Sequence, residues 1–217
     1  MQATSGPMRQ VVEKLSHIIA FDHLPFGNSY YATSECGGGP YDSDVRHCWA
    51  KRCVASAAPA ADCFGGANET VAQHGAKEYA VDRRMACAKR QTLAALPNVS
   101  KYWSFVVCME ADYQLLGPLA TGICAKKAGI DMEKLRECYE SEEGDEAVRA
   151  VAERTVDHAG TPWVLVDGKS VDVLGEPGAA VKAVCDAYTG WPVPAACNST
   201  DAPLADATLS SAPGLCV

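Results

Sequence analysis

Cysteines are the residues of this 217-residue chain whose number and spacing point to chemistry. There are eleven of them, spread from Cys36 to Cys216, and no two are spaced Cys-x-x-Cys. Thiol–disulfide exchange needs one reactive thiolate and a second thiol within its reach. Cys48 and Cys53 are the closest pair along the chain. They are therefore the candidate redox pair if the chain's own cysteines perform such chemistry.

The same cysteines are also candidates for structural disulfides. Eleven is too many for an ordinary cytosolic chain of this size, so the sequence indicates an oxidising organelle lumen or the outside of a cell. We expect four bridges: two among Cys36, Cys48, Cys53 and Cys63, with three connectivities open, and the pairs Cys124–Cys138 and Cys185–Cys197. An odd count leaves at least one thiol free or paired with another chain.

A zinc site is the alternative for the first four cysteines, with His47 as a further ligand. Zinc ligands normally include closely spaced Cys pairs, and this segment has none. Structural bridges are therefore the favoured interpretation. The sequence predicts no metal site and no cofactor.

Composition and charge narrow the class of protein. The formal net charge is −8, and Lys and Arg form no long basic block, which argues against nucleic acid or an anionic membrane as partner. The longest apolar stretch, Trp103 to Ala125, contains acidic residues, so no membrane span and a soluble protein are expected. No signal peptide precedes Gln2, which indicates a mature form or a targeting region outside the given chain. Three glycosylation sequons, at Asn68, Asn98 and Asn198, fit the oxidising location.

The stretch from Thr155 to Val173 predicts a β-hairpin between two helices. Its strands are Trp163 to Val166 and Lys169 to Val173, joined by an Asp-Gly turn. A helical segment ends just before it, and an amphipathic segment, Gly178 to Tyr188, follows. This order is typical of the second half of a thioredoxin-like domain. In that fold the proline before the first strand, here Pro162, is usually cis.

The start of the chain predicts the other half of the same α/β fold. A helix, Met8 to His17, is followed by a strand, Ile18 to Leu24. In a thioredoxin-like domain the redox motif lies where this helix begins. The chain has S-G-P-M there, with Ser5 and Met8 in place of the two cysteines of a Cys-Gly-Pro-Cys motif. Thr161 and Pro162 are expected to face this degenerate site. The strand that should precede the motif is missing from the four residues available.

The segments between the two halves read as insertions. The predicted thioredoxin-like domain covers residues 1–192 and carries a Cys-rich loop, 29–70, and a helical insertion, 72–140. The loop has few apolar residues, so we expect disulfides to supply its order. The predicted helices are Ala72–Leu96, Lys101–Glu110, Pro118–Ala128, Asp131–Tyr139 and Gly144–His158. Residues 193–217 form a tail rich in Pro, Ala and Ser.

A hallmark motif links these pieces to a known family. The chain contains the stretch Q-H-G-A-K-E, with Gln73, His74, Gly75 and Glu78, and Cys87 follows nine positions after Glu78. This stretch resembles the Cys-Gln-His-Gly-x-x-Glu-Cys motif of the gamma-interferon-inducible lysosomal thiol reductases. L-P-F-G-N, T-P-W-V-L-V-D-G-K and V-C-D-A-Y-T-G match in the same order. The resemblance implies a thioredoxin fold with a helical insertion, in an oxidising or acidic lumen, that reduces protein disulfides through Cys-x-x-Cys.

The departures from the family concern its chemistry. Ala72 and Tyr79 stand where the family motif has its two cysteines. Ser5 and Met8 stand where the family has its catalytic cysteine pair. The family's reaction needs a thiolate of low pKa at a helix start and a second thiol that resolves the mixed disulfide. Serine and methionine supply neither. His74 is the remaining acid–base candidate, although a structural hydrogen-bonding role is favoured.

Two classes of function follow. The favoured one is a non-catalytic luminal thioredoxin-fold protein that binds other proteins or is a subunit of a stable assembly. The alternative is a thiol–disulfide oxidoreductase that works through Cys48 and Cys53 and reduces protein disulfides.

Overall fold

The structure is a computed structural model that describes residues 2–93, 99–111, 118–176 and 178–198. This part of the chain is mixed α/β and mainly helical, with two short antiparallel sheets and five disulfides. The helices are α1 (Gln2–Leu15), α2 (Ser43–Trp49), α3 (Ala76–Leu93), α4 (Val99–Ala111), α5 (Pro118–Ala128), α6 (Met132–Tyr139), α7 (Glu142–Ala152), α8 (Ala179–Ala187) and α9 (Ala195–Asn198). The strands are β1 (Tyr30–Tyr31), β2 (Thr70–Val71), β3 (Val164–Val166) and β4 (Lys169–Val171).

Helix α3 lies at the centre of the helical part and packs on α4, α6 and α7. Helix α1 buries Val11, Val12 and Leu15, whose spacing of three to four residues puts them on one face, against α4 and α8. Helix α6 begins at a sequence signal: the Asp131 carboxylate accepts hydrogen bonds from the backbone N–H groups of the helix's second and third residues. The predicted helices are therefore present.

The bounds of several helices differ from the prediction, and α1 runs over Gln2–Leu15 instead of Met8–His17. Helix α3 begins at Ala76 instead of Ala72, because Gly75 has φ +79°, which an α-helix excludes. Helix α7 runs over Glu142–Ala152 and ends six residues before His158. After its end, the Thr155 hydroxyl donates to the Val151 carbonyl at 2.8 Å, and the chain then leaves the helix axis towards the hairpin.

The predicted hairpin is confirmed. Strands β3 and β4 pair with Val166 opposite Lys169 and Val164 opposite Val171. The turn residues Asp167 and Gly168 both have positive φ, +47° and +77°, as a type I′ turn requires. The Thr161-Pro162 peptide bond is cis, also as predicted.

The predicted strand Ile18 to Leu24 is wrong. These residues form an irregular segment after α1, and each described sheet has only two strands, β1 with β2 and β3 with β4. The segment and β3 line the same cavity, and no described strand pairs with the segment. A strand exists only where a neighbour completes its hydrogen bonds. The expected sheet, in which Ile18 to Leu24 would join the two hairpin strands, is therefore not formed by the described residues.

The Cys-rich segment, residues 29–70, contains an aromatic core that the sequence analysis did not expect. Trp49, Tyr30 and Tyr31 are fully buried there. The Trp49 ring lies 5.6 Å from that of Phe26 and 6.0 Å from that of Phe64, and its indole N–H donates to the Cys63 carbonyl at 2.8 Å. The expectation that disulfides alone order this segment is wrong, because four aromatic rings of the segment and Phe26 beside it bury a large apolar area.

The disulfides agree with the predicted pairing in part. The bridges Cys36–Cys48, Cys53–Cys63 and Cys185–Cys197 are those expected. The predicted Cys124–Cys138 bridge is wrong: the observed pairs are Cys108–Cys124, which joins α4 to α5, and Cys87–Cys138, which joins α3 to α6. Helices α4 and α5 pack on each other, as do α3 and α6, so these sulfurs meet at helix interfaces instead of along the sequence. Cys216 and most of the 193–217 tail lie outside the described residues.

Candidate functional site

The most prominent site is a cavity of about 860 Å³ between residues 18–25 and β3. Helices α1, α3, α4 and α8 complete its walls. Apolar side chains such as Val11, Phe21, Val81 and Val184 line most of it. A mainly apolar concave site with a few polar groups is what binding sites in proteins have in common. The shape and the mainly apolar lining of this cavity therefore favour binding of another molecule over catalysis.

Two polar atoms of the cavity wall have no hydrogen-bond partner in the part of the chain that the structure describes. The indole N–H of Trp103 and the Oε2 atom of Glu110, both on α4, are buried without a partner among the described residues. Trp103 is only 4% exposed. Buried polar groups in folded proteins are nearly always hydrogen-bonded, so an unpaired donor and an unpaired acceptor on one cavity wall call for an explanation.

Two carboxyl groups of the cavity wall, those of Asp82 and Glu110, have raised pKa values. Burial raises the pKa of Glu110 to about 7. Burial and the nearby Glu78 raise the pKa of Asp82 well above its usual value. Both carboxyls line the cavity, and neither has a cation placed against it in the described chain. Near neutral pH this wall can therefore donate as well as accept hydrogen bonds.

His23 and Asp22 lie on the segment that follows α1, and the His23 ring is 6.0 Å from the Trp103 ring of α4. Burial, with the nearby Lys89 cation, lowers the pKa of His23 to about 4, so its ring is neutral. Its Nδ1 atom is 2.7 Å from the Tyr102 hydroxyl. The Asp22 carboxylate forms ion pairs with both Lys89 and Arg154. These contacts hold the segment in place through side chains instead of backbone hydrogen bonds.

A buried polar network connects the hairpin to the hallmark motif. Asn28 donates from Nδ2 to Gln73 Oε1 at 2.8 Å and to Thr161 Oγ1 at 3.3 Å. The His158 Nε2 atom lies 3.1 Å from Asn28 Oδ1. Burial outweighs the contact with the Val156 carbonyl and lowers the pKa of His158. The network positions Thr161 and His158, both of which line the cavity.

Arg46 extends this network away from the cavity. Its guanidinium is almost fully buried and donates to the His158 carbonyl. Asp157 lies 3.8 Å from Arg46 and pairs with His47. His47 therefore contributes to a structural ion-pair cluster, which the zinc alternative did not anticipate.

The degenerate redox site is only partly assembled. Met8 is buried, and it lines the same cavity as Thr161 and Pro162. Ser5 and Met8 were expected at the start of the helix, but α1 already begins at Gln2 and includes the whole S-G-P-M stretch. No helix-breaking residue stands among the first three residues of α1, so the helix extends over them. A methionine thioether has no proton to lose and cannot attack a disulfide.

The hallmark residues have structural roles in this chain. The Glu78 carboxylate accepts from the His74 backbone N–H at 2.6 Å and thereby caps the start of α3. Gly75 provides the positive φ at which the chain turns into the helix. His74 does not line the cavity, and its Nδ1 atom is 3.3 Å from Glu78. Cys87 is bound in the disulfide to α6. The motif thus anchors α3.

Every cysteine of the described chain is in a disulfide. Cys48 is bound to Cys36 and Cys53 to Cys63, so the candidate redox pair Cys48 and Cys53 is not a pair. The zinc alternative fails for the same reason, since bridged sulfurs have no thiolate to offer a metal. Within the described ranges no group of three metal-ligating side chains occurs. The five bridges indicate an oxidising environment, in a lumen or outside the cell.

Two of the three sequons lie on the surface. Asn68 is exposed in a short 3₁₀ turn, Ala67–Glu69, and Asn198 is exposed at the end of α9. Asn98 lies outside the described residues. Among the helices that the structure describes, none combines the length and apolar character that a membrane crossing needs.

Compared with protein-family models and with curated proteins, the chain matches none of either. The site must therefore be interpreted from its own geometry. Sequence reasoning missed Trp103 and His158, which line the cavity, and Asn28, whose side chain lies at hydrogen-bond distance from His158. Asn28 ends the L-P-F-G-N stretch, and His158 lies just before the hairpin. The network is seen only in the structure, where the two side chains are 3.1 Å apart.

Proposed function

We propose that this chain is a non-catalytic, disulfide-braced binding module that resembles a thiol reductase and acts as a protein-binding domain or a subunit of a larger assembly. The observation that carries this is the state of its sulfurs. All ten cysteines within the described ranges are in disulfides, and the cavity wall that faces the cis proline carries the Met8 thioether.

The chemistry of disulfide reduction supports this proposal. The reaction needs an exposed thiolate of lowered pKa and a second thiol to release the mixed disulfide. Buried structural bridges are poor substitutes: Cys53 and Cys63 are only 3% and 2% exposed. The apolar cavity beside Met8 favours recognition of another molecule instead.

The proposed location is an organelle lumen, lysosome-like or elsewhere in the endomembrane system, or the extracellular space. In such a compartment the exposed sequons at Asn68 and Asn198 are proposed attachment sites for glycans. Peptide mapping after enzymatic removal of N-linked glycans should show deamidation at both positions. Protein from the native source with both asparagines unmodified would contradict this location.

An insulin-reduction assay with a dithiol donor tests the absence of redox activity, at acidic and at neutral pH. We expect the native chain to show background turnover only. A double variant, Ser5→Cys with Met8→Cys, supplies the two thiols that the resemblance assigns to this helix and shows whether thiols at these positions can work. Turnover by the native chain that disappears in Cys48→Ser or Cys53→Ser would overturn the proposal and favour the alternative, a thiol–disulfide oxidoreductase.

A further inference from the structure

Two lengths of backbone that lack backbone partners among the described residues line the same cavity. The first is the segment 19–25, whose N–H and C=O groups form no backbone hydrogen bond with any described residue. One side-chain hydrogen bond reaches the backbone of this segment, from the Lys89 ammonium to the His23 carbonyl at 2.6 Å. Much of this segment is half-buried, and apart from the His23 carbonyl its backbone groups have no partner among the described residues.

The second length is the free edge of β3. Strand β4 occupies one edge of β3, and in the described part of the chain nothing pairs with the other. The two-residue turn makes Val166 and Lys169 a hydrogen-bonded pair, so Leu165 and Ser170 form the next, non-hydrogen-bonded pair. The N–H and C=O of Leu165 therefore point away from β4. Residues of β3 line the cavity and those of β4 do not, which places this edge at the cavity.

The space between the two lengths has the character of a strand site. It is about 860 Å³ in volume, mainly apolar, and closed on one side by α1 and α8. Its wall also carries the unpaired indole N–H of Trp103 and the unpaired Oε2 of Glu110. A lipid or other apolar small molecule would fill the volume but leave all these donors and acceptors unsatisfied.

We infer that the cavity binds an extended segment of a partner polypeptide, which adds as a β-strand along the free edge of β3 and opposite residues 19–25. This inference rests on the proposed binding function and names the class of ligand. Strand addition satisfies backbone groups on both sides, while alternate side chains enter pockets. The bound segment carries apolar residues at alternate positions, directed at Val11 and Val184, and one hydrogen-bonding side chain that reaches Glu110.

Calorimetric titration of the full chain with a synthetic peptide tests this. The probe is an acetylated and amidated hexapeptide, Val-Thr-Val-Lys-Val-Thr, and its matched control has the same sequence with N-methyl groups on alternate backbone nitrogens. We expect the parent peptide to bind at least about tenfold more tightly than the methylated one, because the methyl groups remove the strand's donors. Equal binding of both peptides, or no binding of either, would overturn the inference.

Amide hydrogen exchange locates the bound peptide. In the free protein the amides of residues 19–24 and of Leu165 should exchange rapidly, and the parent peptide should protect them. Protection of these amides before peptide is added would mean that the chain already fills the site, which overturns the inference. Protection confined to another surface, such as the exposed Leu119 side of α5, would do the same.

A pair of proline variants separates the two edges of the hairpin. Leu165→Pro removes the N–H on the cavity edge, and Ser170→Pro removes the equivalent N–H on the outer edge of β4. We expect Leu165→Pro to weaken peptide binding about tenfold or more and Ser170→Pro to leave it unchanged, with Leu165→Ala as the control for the lost side chain. Equal effects of the two prolines would exclude strand addition. Redox inactivity in the insulin assay could still hold in that case, so the two proposals fail separately.

Discussion

Residues 29–70 and the cavity between residues 18–25 and β3 are organised in opposite ways. The first segment has few apolar residues, yet its aromatic rings pack on one another and two disulfides close it. The second region is rich in apolar residues, yet it forms an open cavity of about 860 Å³. One region completes its own core, and the other leaves its core open.

The comparison teaches that an apolar composition does not by itself produce a filled core. Protein interiors are normally packed as densely as organic crystals, so an open apolar cavity of this volume is unusual. It occurs here where a strand edge and an extended segment both lack a backbone partner. The filled region carries structure, and the open region is where we expect a ligand.

The largest expected effect compares two buried tryptophans. Trp49→Ala should lower the free energy of unfolding by about 4 kcal/mol, since the filled region loses a fully enclosed ring. Trp103→Ala should lower it by only about 2 kcal/mol, because its ring already borders open space. Urea denaturation measures both. Trp191→Ala, at a ring that is 87% exposed, is the control and should change little. Equal losses at positions 49 and 103 would break the comparison.

Removal of a disulfide tests whether the aromatic rings or the bridges order residues 29–70. The double variant Cys53→Ala with Cys63→Ala should lose about 3 kcal/mol, the chain-entropy value for a loop of this length. The near-ultraviolet circular dichroism of the aromatic cluster should persist, because the rings remain packed. The matched control is Cys185→Ala with Cys197→Ala, which removes a bridge that closes a loop of similar length outside this segment. Loss of the aromatic signal in the first variant alone would show that the bridges are dominant.

The open region should make stability depend on pH. The folded-state pKa of Glu110 is raised to about 7, above its value of 4.5 in the unfolded chain. Stability from this group is therefore fully present below pH 4.5 and is lost as the pH rises through 7, by up to roughly 3 kcal/mol. Urea midpoints measured across this pH range should fall less steeply with rising pH in Glu110→Gln than in the native chain. Any fall that remains in the variant is assigned to Asp82, whose pKa is also raised. An unchanged profile in the variant would show that Glu110 is not buried.

The smallest effect uses one substitution in both regions. Ala180→Leu adds a side chain towards the cavity and should stabilise the fold by about 1 kcal/mol. Ala50→Leu adds the same atoms to the filled region and should destabilise it by about 2 kcal/mol. Thermal unfolding followed by circular dichroism measures the two shifts. Destabilisation by both would mean that the cavity is not open to a side chain.

Local features were predictable because they depend on neighbours in the sequence. The hairpin follows from β-branched residues around an Asp-Gly turn, and the start of α6 follows from the capping residue Asp131. Three of the four expected bridges are present, and each joins cysteines that are only 10 or 12 positions apart. For two of them the sequence analysis named the four cysteines but left the pairing open.

Long-range pairing was not predictable from such signals. Cys87 and Cys138 are 51 positions apart and meet only because α3 packs on α6. Ile18 to Leu24 has the composition of a strand, but a strand forms only where another supplies its hydrogen bonds. Asn28 and His158 are 130 positions apart, so no local pattern links them.

The sequence by itself determined the helices, the β3–β4 hairpin, the abundance of disulfides and the lack of cysteines at Ser5 and Met8. These properties are set by residue type and by contacts within a few positions along the chain. Only the tertiary structure decided which cysteines pair across helices, that the aromatic rings of residues 29–70 form a core, and that an open cavity lies beside β3. Those outcomes depend on which surfaces meet in space, and the chain order of the residues does not specify that.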